Sequence, residues 1–459
     1  MFCFYEICIK SKGGQEMNKQ IILDLISKKD FVRLKEQLKG MNPVDVASLL
    51  ETLEERELLI AFRVLNKEEA AETFTYSSMP MKQMLIDGFS DKELKAVLEE
   101  MFLDDTVDII EEMPANVVKR ILRNTDEETR KSINEILNYP KDSAGSMMTT
   151  EYVHLKKDMC VEEAIECIRL EAIDKETIYT CYVTENRKLI GFVTVKDLLM
   201  SKNETKVEDI MKHHVIWAYT HEDREEVAKM FSKYDFLAIP VVDTEQCLVG
   251  IVTFDDAMDV IEEETTEDIT KMAAINPSDE SYFETSVLDH AKNRIVWLLV
   301  LMLSATLTGT IITKYEHTFE TIPLLVAFIP MLMDTGGNCG SQSSTLIIRG
   351  IALDEIKFKD IFRVIFKEFR ISLLVSVTLA VINGIRIYLM YNNLVLAIVI
   401  GYSLICTVVI AKVIGCMLPL IAKKFKLDPA IMAAPLITTI VDTCSIFIYF
   451  KIATLFFKL

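Results

Sequence analysis

The sequence predicts a multidomain protein with four parts: an all-α superhelical amino-terminal domain, an α/β module present twice, a long connecting helix, and an all-α membrane domain with five transmembrane helices. Three observations predict this fold class. Helical periodicity without strand-like runs extends to residue 140, an internal repeat occupies residues 141–263, and long apolar segments follow residue 289. The predicted domains are residues 18–140, 141–205, 206–263, 264–288 (the connecting helix) and 289–459.

The charge of the chain is divided between two halves. The 459 residues carry a formal charge of −19, but the part from Asp289 onward has 16 Lys and Arg against 10 Asp and Glu. The preceding part therefore holds 34 basic and 59 acidic residues. An acidic soluble half disfavours nucleic acid as a partner and favours cations.

The first residues do not fit a secretory signal peptide, because the segment MFCFYEICIKSKGGQE is short and poorly charged. Lys12-Gly13-Gly14 can be encoded by a ribosome-binding sequence, and Met17 follows at a suitable distance. We therefore expect residues 1–17 to be a non-native or disordered leader and Met17 to be the native start.

Residues 18–140 show the periodicity of amphipathic helices, as in the apolar positions Val46, Leu49 and Leu53. Capping residues recur at short intervals, which predicts a stack of short helices. These helix-start signals are Asn42-Pro43, Asn66, Ser90-Asp91 and Asp104-Asp105.

After Pro140 the chain repeats itself. The segment YVTENRKLIGFVTVKDLL (residues 182–199) aligns with VVDTEQCLVGIVTFDDAM (residues 241–258). Three matched pairs lie 59 positions apart: Gly191 with Gly250, Thr194 with Thr253, and Asp197 with Asp256. Each copy reads as helix, strand, turn, strand, helix, and the LxGxVTxxD pattern resembles a CBS domain. Two copies resemble a CBS pair, which implies a regulatory module that binds adenine nucleotides or ions.

Acidic residues crowd together directly after the second copy. The segment 255–268 contains eight carboxylates, and a second group lies upstream in FLDDTVDIIEE (residues 102–112). Such density is typical of a solvated helix face, but it also suits Mg²⁺ or Ca²⁺ bound by oxygen ligands. Two acidic faces on different modules predict a contact that divalent cations stabilise.

Five hydrophobic segments are long enough to cross a bilayer: residues 295–312, 322–348, 371–390, 394–422 and 430–457. The loops that follow the second and fourth segments are rich in Lys and Arg, as is the approach to the first. The positive-inside rule then places the amino terminus in the cytoplasm and the carboxyl terminus outside it.

The second apolar segment is interrupted by IPMLMDTGGNCGSQSSTL (residues 329–346). Irregular backbone at membrane depth survives only where it lines a cavity or is buried in protein. Because Pro330 removes a helix hydrogen bond and the glycines permit turns, we expect a broken helix along an ion path. The alternative is a kinked helix in which small residues serve packing.

Asp442 lies inside the last apolar segment, close to Thr438 and Thr439. An intramembrane carboxylate is costly, and its default interpretation is functional. A buried ion pair with Lys412 or Arg386 is the structural alternative.

Four stretches together resemble the MgtE family of magnesium channels and transporters. These are PMLMDTGGNCGSQSSTLIIRG, DPAIMAAPLITTIVD, YPKDSAGSMMT and EEVAKMFSKYDFLAIPVVD. The resemblance covers nearly the whole chain after the first sixteen residues. It implies a homodimer in the lipid bilayer of the cell membrane, with an ion path along the dimer axis and a "plug" helix that connects sensor and pore.

The resemblance also implies site residues. Asp442 would hold hydrated Mg²⁺, with Asn338, Gly336, Gly337 and Thr438 along the same path; the role of Asp334 is open. Regulatory Mg²⁺ would bind at Asp104, Asp108, Asp223, Glu225, Asp235, Asp256, Asp259, Glu264, Glu267, Asp268 and Asp428. ATP would contact Tyr179, Lys196 and Phe236, where Lys196 replaces the usual arginine.

The sequence thus predicts a path for Mg²⁺ influx. This path closes when cytosolic Mg²⁺ rises and bridges the acidic faces. Two other functions remain open: transport of another divalent cation such as Co²⁺, and a nucleotide sensor without conduction. An enzyme is not expected, since no nucleophile–base pair or catalytic metal set is recognisable.

Overall fold

The computed structural model describes residues 12–172, 175–278, 282–283, 285–315, 322–432 and 434–457. The chain divides into two compact units, with the boundary between Ile261 and Glu262. The first eleven residues of the predicted leader lie outside the described residues, whereas residues 12–17 begin the first helix.

From residue 12, where the described part of the first unit starts, the chain forms ten short helices before the repeat, as the periodicity predicts. They are α1 (Lys12–Ser27), α2 (Phe31–Lys39), α3 (Pro43–Leu50), α4 (Glu55–Phe62), α5 (Lys67–Thr75), α6 (Met79–Gly88), α7 (Asp91–Leu98), α8 (Leu103–Glu112), α9 (Ala115–Asn124) and α10 (Glu127–Ile136). They share one apolar core that includes the fully buried Leu34, Leu50 and Phe74.

Three of the four predicted start signals of these helices act as caps. The Val44 amide donates to Asn42 Oδ1 at 3.0 Å, and the Glu69 amide donates to Asn66 Oδ1 at 2.8 Å. Ser90 and Glu93 form a capping box at the start of α7. The fourth signal is not a cap: α8 begins at Leu103, with Phe102 before it, so Asp104 and Asp105 lie in its first turn.

The repeat forms two three-stranded sheets with the same topology. The first contains β1 (Tyr152–Lys156), β2 (Thr177–Glu185) and β3 (Lys188–Thr194), and the second contains β4 (Ala218–Tyr219), β5 (Ala238–Val242) and β6 (Leu248–Thr253). In each sheet the first pair is parallel and the second antiparallel. The helices are α11 (Val161–Glu171), α12 (Val195–Met200), α13 (Val207–Ile210), α14 (Arg224–Tyr234) and α15 (Phe254–Met272).

The repeated LxGxVTxxD pattern has the same physical cause in both copies. Thr194 and Asp197 form a capping box at the start of α12, and Thr253 donates to Asp256 Oδ2 at 2.5 Å at the start of α15. A Cβ at Gly191 would lie 2.9 Å from the Lys212 carbonyl oxygen, and one at Gly250 would lie 2.8 Å from that of Thr149. Each glycine therefore admits a neighbouring backbone segment that pairs with its strand.

The second unit is helical: α16 (Val287–Lys314), α17 (Ile329–Ala352), α18 (Ile361–Tyr391), α19 (Leu394–Lys424) and α20 (Ala434–Phe457), with 3₁₀ turns at Pro323–Phe328, Phe358–Asp360 and Pro429–Met432. Among the described residues, four segments are long and apolar enough to span a membrane: Val287–Lys314, Phe358–Tyr391, Leu394–Lys424 and Pro429–Phe457. The predicted span at residues 322–348 is not among them, because polar residues and glycines lower the hydropathy of α17. Five spans therefore remain a prediction.

The predicted break in this segment is wrong. Helix α17 is continuous from Ile329 to Ala352, through all three glycines of the motif, and Pro330 lies in its first turn, where no intrahelical hydrogen bond is lost. The glycines serve close packing instead. A Cβ at Gly336 would lie 2.8 Å from Thr407 Cγ2, and one at Gly340 would lie 2.7 Å from Ile437 Cγ2. The small residues thus serve packing, as in the alternative interpretation, and the continuous helix gives no evidence of a freed carbonyl at Gly336 or Gly337.

Candidate cation sites

Carboxylates from four segments of the first unit meet in one acidic cluster. Asp104, Asp105 and Asp108 lie on α8, Glu151 precedes β1, Glu176 precedes β2, and Asp255 and Asp256 lie in the first turn of α15. We use the term acidic cluster for these seven residues. The Glu176 amide donates to the Glu151 carbonyl at 2.9 Å, which holds the segments before β1 and β2 side by side.

Three members of the acidic cluster have the geometry of a metal site. One carboxylate oxygen each of Asp104, Glu151 and Glu176 lies within 4.8 Å of the other two. Glu151 also accepts a hydrogen bond from the Leu103 amide at 3.1 Å, which fixes it against the start of α8. Such a group of hard oxygen ligands suits Mg²⁺ or Ca²⁺.

Burial and mutual repulsion raise the pKa of several carboxyls in the acidic cluster. Burial, followed by the charge of Asp256, raises the pKa of Asp104 well above its usual value. Burial and the charge of Asp255 raise the pKa of Glu176 to about 8. Burial also raises the pKa of Asp256 to about 6, against the opposing hydrogen bond from Thr253.

Asp108 lies at the rim, where its side chain keeps contact with solvent. Crowding by protein removes part of the bulk water and, with the charge of Asp256, raises the pKa of Asp108 to about 7. The buried ammonium of Lys82 lies near Asp105 and partly offsets these charges, although burial lowers its own pKa. A bound cation would supply the positive charge that Lys82 does not.

The structure therefore brings together three of the predicted regulatory residues: Asp104, Asp108 and Asp256. Sequence reasoning missed Glu151 and Glu176. They stand 25 positions apart and belong to no acidic run, so only the fold places them beside α8. Asp259 is also near, since its charge acts on Asp105.

Three other predicted regulatory residues lie on or beside α14. Asp223 caps its amino terminus by accepting from the Glu225 amide at 2.9 Å, and Glu225 pairs with Lys229 at 2.8 Å. Asp235 follows the last turn in a left-handed conformation. The ends of this 11-residue helix are about 16 Å apart, so one ion cannot bridge Asp223 and Asp235 of the same chain.

Two further predicted ligands, Glu267 and Asp428, meet at a lysine in the second unit. Lys271 Nζ lies 2.7 Å from Asp428 Oδ2 and also pairs with Glu267. Burial alone lowers the pKa of Lys271, but its hydrogen bonds to these carboxylates outweigh burial and raise it. The ammonium thus occupies the position that a cation would take between them. Glu264 and Asp268 lie on the same helix, α15.

The predicted nucleotide contacts lie on both copies of the repeat. Tyr179 is on β2 with an exposed ring, and Lys196 is on α12. Phe236 precedes β5 and stacks on Tyr234 with 5.5 Å between ring centroids.

In the second unit, polar side chains of α17 and α20 face the same region. Asn338 donates to Asp334 Oδ1 at 3.1 Å, one turn apart on α17. A Cβ at Gly337 would lie 3.0 Å from Thr438 Cγ2 on α20. Asp442 follows Thr438 by one turn, and its carboxylate is close enough to that of Asp334 for the two charges to repel each other. Asp334, of open role in the sequence, therefore belongs to this polar region.

The ion-pair alternative for Asp442 is wrong. Lys412 pairs with Glu368, and the Arg386 guanidinium donates to Met331 Sδ at 3.5 Å. Within the described part of the chain, neither cation contacts Asp442.

Comparison with known proteins gives the same domain order. Residues 329–452 match the MgtE family, described as a divalent cation transporter. Residues 41–142 match the MgtE intracellular N domain, and residues 144–203 and 207–263 match CBS domains. The magnesium transporter MgtE of Thermus thermophilus is 35% identical over 431 residues, which cover 93% of this chain and 95% of that protein. The chain belongs to the MgtE family.

A second member, the magnesium transporter MgtE of Bacillus subtilis, is 33% identical over 91% of this chain and 92% of its own length. Among solved structures, the cytosolic domain of the Mg²⁺ channel MgtE in complex with ATP superposes with a TM-score of 0.50 at 34% identity, over 52% of this chain and 98% of that one. The soluble part of a magnesium transporter gives 0.51 at 28% identity, over 55% and 99%. Membership in this family agrees with the predicted helical domain, CBS pair and apolar helical domain.

Proposed function

We propose that this family member is a Mg²⁺ influx channel or transporter of the cell membrane, closed by cytosolic Mg²⁺. The observation that supports it most directly is the polar region of Asp334, Asn338, Thr438 and Asp442 within an apolar helical unit. A bound cation would offset the repulsion between these two carboxylates. Related proteins of similar length are named magnesium transporters.

Asp442 is the pore carboxylate in this proposal and holds Mg²⁺ through its water shell, since Mg²⁺ dehydrates reluctantly. Asn338, Gly337 and Thr438 line the path beside it. Asp334 and Asn338 are exposed on the surface of the single chain. Because lipid does not tolerate exposed carboxylates, a second copy of the chain covers this face, and the path follows the axis of a homodimer.

The acidic cluster is the sensor. With Mg²⁺ bound, most of the negative charge of Asp104, Glu151 and Glu176 is offset and α8 stays against the repeat. Without it, the carboxylates repel and the contact loosens. The ligand shifts this equilibrium only by its difference in affinity between the two states. The residues of α14 and α15 named above supply further regulatory sites for Mg²⁺. At the residues of α14, the ion joins two copies of the chain.

Helix α15 crosses the boundary between the two units in the chain, and contacts within the second unit continue from its last turn. Lys271 on α15 binds Asp428 at 2.7 Å, and Asp428 Oδ1 accepts from the Ala430 amide at 2.8 Å. The Met432 carbonyl in the same 3₁₀ turn accepts from Ser344 Oγ of α17 at 2.9 Å. A movement of α15 therefore has a bonded route to the helix that carries Asn338.

The remaining parts of the proposal follow the family and the sequence. The five predicted spans place the amino terminus in the cytoplasm and the carboxyl terminus outside, and the domains have the boundaries predicted above. ATP is a regulatory ligand at Tyr179, Lys196 and Phe236, in line with the ATP complex of a related cytosolic domain. The protein transports ions and is not an enzyme.

The deciding experiment measures Mg²⁺ influx into proteoliposomes that contain wild type, Asp442→Asn or Asp354→Asn. Asp354 is a matched control, because this carboxylate lies just beyond α17 and pairs with Lys357 at 2.8 Å. We expect Asp442→Asn to reduce influx at least about tenfold, equal to roughly 1.4 kcal/mol of lost ion stabilisation. The control should match wild type.

Equal influx in all three proteins would contradict the assigned path, and no influx in any of them would favour a sensor without conduction. The same assay with Co²⁺ tests the alternative function, transport of another divalent cation. Preferential uptake of Co²⁺ over Mg²⁺ would make Co²⁺ the substrate.

A further inference from the structure

The second unit contains a buried charge pair that the ion path does not use. Lys412 on α19 and Glu368 on α18 are only 5% and 6% exposed, and Lys412 Nζ lies 3.7 Å from Glu368 Oε2. Ser343 of α17, which is fully buried, stands between them. Its hydroxyl donates to Glu368 Oε2 at 2.7 Å and accepts from Lys412 Nζ at 3.1 Å. The three side chains, here called the three-helix polar cluster, thus join α17, α18 and α19.

Such a cluster is not explained by stability. Removing two charges from water costs several kcal/mol for each ion, and a well-packed apolar pair is often as stable or more so. The best-attested use of a buried polar group is to fix the register of packed helices, as a single buried asparagine does in coiled coils.

The packing of α17 creates a need for such a device. Gly336, Gly340 and Ser343 recur at helical spacing on one face of α17. A Cβ at Gly340 would lie 3.2 Å from the Ala411 carbonyl oxygen of α19, and one at Gly415 of α19 would meet the Gly340 backbone. We call Gly336, Gly340 and Gly415 the glycine seam. It brings the helices close, with Thr407 and Ile437 packed against it, but the glycines have no side chain that could form a directional contact across the seam.

We propose that the three-helix polar cluster is a positioning device that fixes the register of α17 along the glycine seam. Ser343 follows Gly340 by three residues and continues the same face with a directional contact. Through α17, this contact keeps Asn338 and Gly337 opposite Thr438 and Asp442. The inference rests on the proposed ion path, because it assigns the cluster to the geometry of that path.

The test separates register from stability with two variants. Lys412→Met/Glu368→Met removes both charges at similar side-chain length. Ser343→Ala removes the hydroxyl that links α17 to the pair and leaves the pair in place. Ser376→Ala is the matched control, since Ser376 is fully buried on α18 and donates to the Leu373 carbonyl at 3.3 Å, outside the cluster.

The measurements are thermal unfolding in detergent, together with KM, maximal influx and the Mg²⁺-to-Co²⁺ influx ratio in proteoliposomes. We expect the double variant and Ser343→Ala to unfold within a few degrees of wild type. We expect both to lose Mg²⁺ preference or maximal influx by roughly tenfold, as displaced site groups do. A purely structural role would change unfolding but not the ion ratio.

If Ser343→Ala has the flux and the ion ratio of wild type, the inference is wrong. This conclusion holds even if the double variant fails to fold. The proposed path is tested separately by Asp442→Asn. If that variant conducts normally, the path is wrong; if it does not conduct while Ser343→Ala is normal, only the register inference fails.

Discussion

Single side chains of the acidic cluster show how burial and neighbouring charges change the pKa of a carboxyl group. Glu176 belongs to no acidic run, yet the fold packs it with Asp104 and Glu151. Burial and the neighbouring charge of Asp255 raise the pKa of Glu176 to about 8. Near neutral pH, either a proton or a bound cation therefore neutralises this carboxylate. Proton and Mg²⁺ compete for the same oxygen atoms.

This competition predicts a pH dependence of stability. The pKa values of Asp108 and Glu176 are raised to about 7 and about 8, whereas unfolded carboxyls titrate near 4. A raised pKa stabilises the folded state fully below the unfolded value, and that stability is lost as pH rises through the folded value. Without divalent cations, the unfolding temperature should therefore fall between about pH 5 and pH 8.

Glu176→Gln tests this effect on the full chain in detergent, with Glu204→Gln at an exposed loop position as control. The variant should flatten the pH-dependent fall and weaken stabilisation by Mg²⁺, because one repelling carboxylate and one ligand are gone. Added Mg²⁺ should remove most of the fall in wild type. Identical pH profiles for wild type and Glu176→Gln would show that this carboxyl does not titrate as inferred.

Among the elements, α17 differs most from its prediction. Its glycines were expected to break the helix, because glycine and proline disrupt helices in water. In a bundle of apolar helices the same residues permit close backbone contact, and packing against α19 and α20 keeps the helix intact. Composition alone does not distinguish these outcomes, since both require small residues.

The packing role of the glycines predicts unequal effects of one substitution. Gly340→Ala places a methyl group 2.7 Å from Ile437 Cγ2 and should destabilise the fold by about 1–3 kcal/mol. Gly309→Ala on α16 meets nothing within 4 Å and should be neutral or stabilising by up to about 1 kcal/mol. Thermal unfolding in detergent compares the two. Equal stability of both variants would mean that α17 can shift to accept the methyl group.

At the scale of the whole molecule, the proposed gating depends on the connection between α15 and the membrane unit. Lys271 offsets part of the charge of Glu267 and Asp428 and pairs with both of them. The ammonium group of Lys271 thus already offsets part of the negative charge that a bound Mg²⁺ would offset.

Lys271→Gln should weaken this connection, because the two carboxylates then repel until Mg²⁺ bridges them. We expect the Mg²⁺ concentration that halves influx to rise roughly fivefold, within the usual range of coupling energies, while maximal influx stays near wild type. The control is Lys292→Gln, an exposed lysine on α16. Unchanged inhibition in Lys271→Gln would remove this contact from the gating route.

The sequence by itself determined what is local or repeated. Helix caps such as Asn66 and Ser90, the duplicated strand pairs, and the apolar helices follow from spacing and residue type, because these act within a few residues. The same locality identified Asp442 and the acidic runs at Asp104 and Asp255. Tertiary structure decided the rest. Glu151 and Glu176 joined Asp104, Lys412 paired with Glu368 and not with Asp442, and α17 remained helical, since each outcome depends on partners distant in the chain.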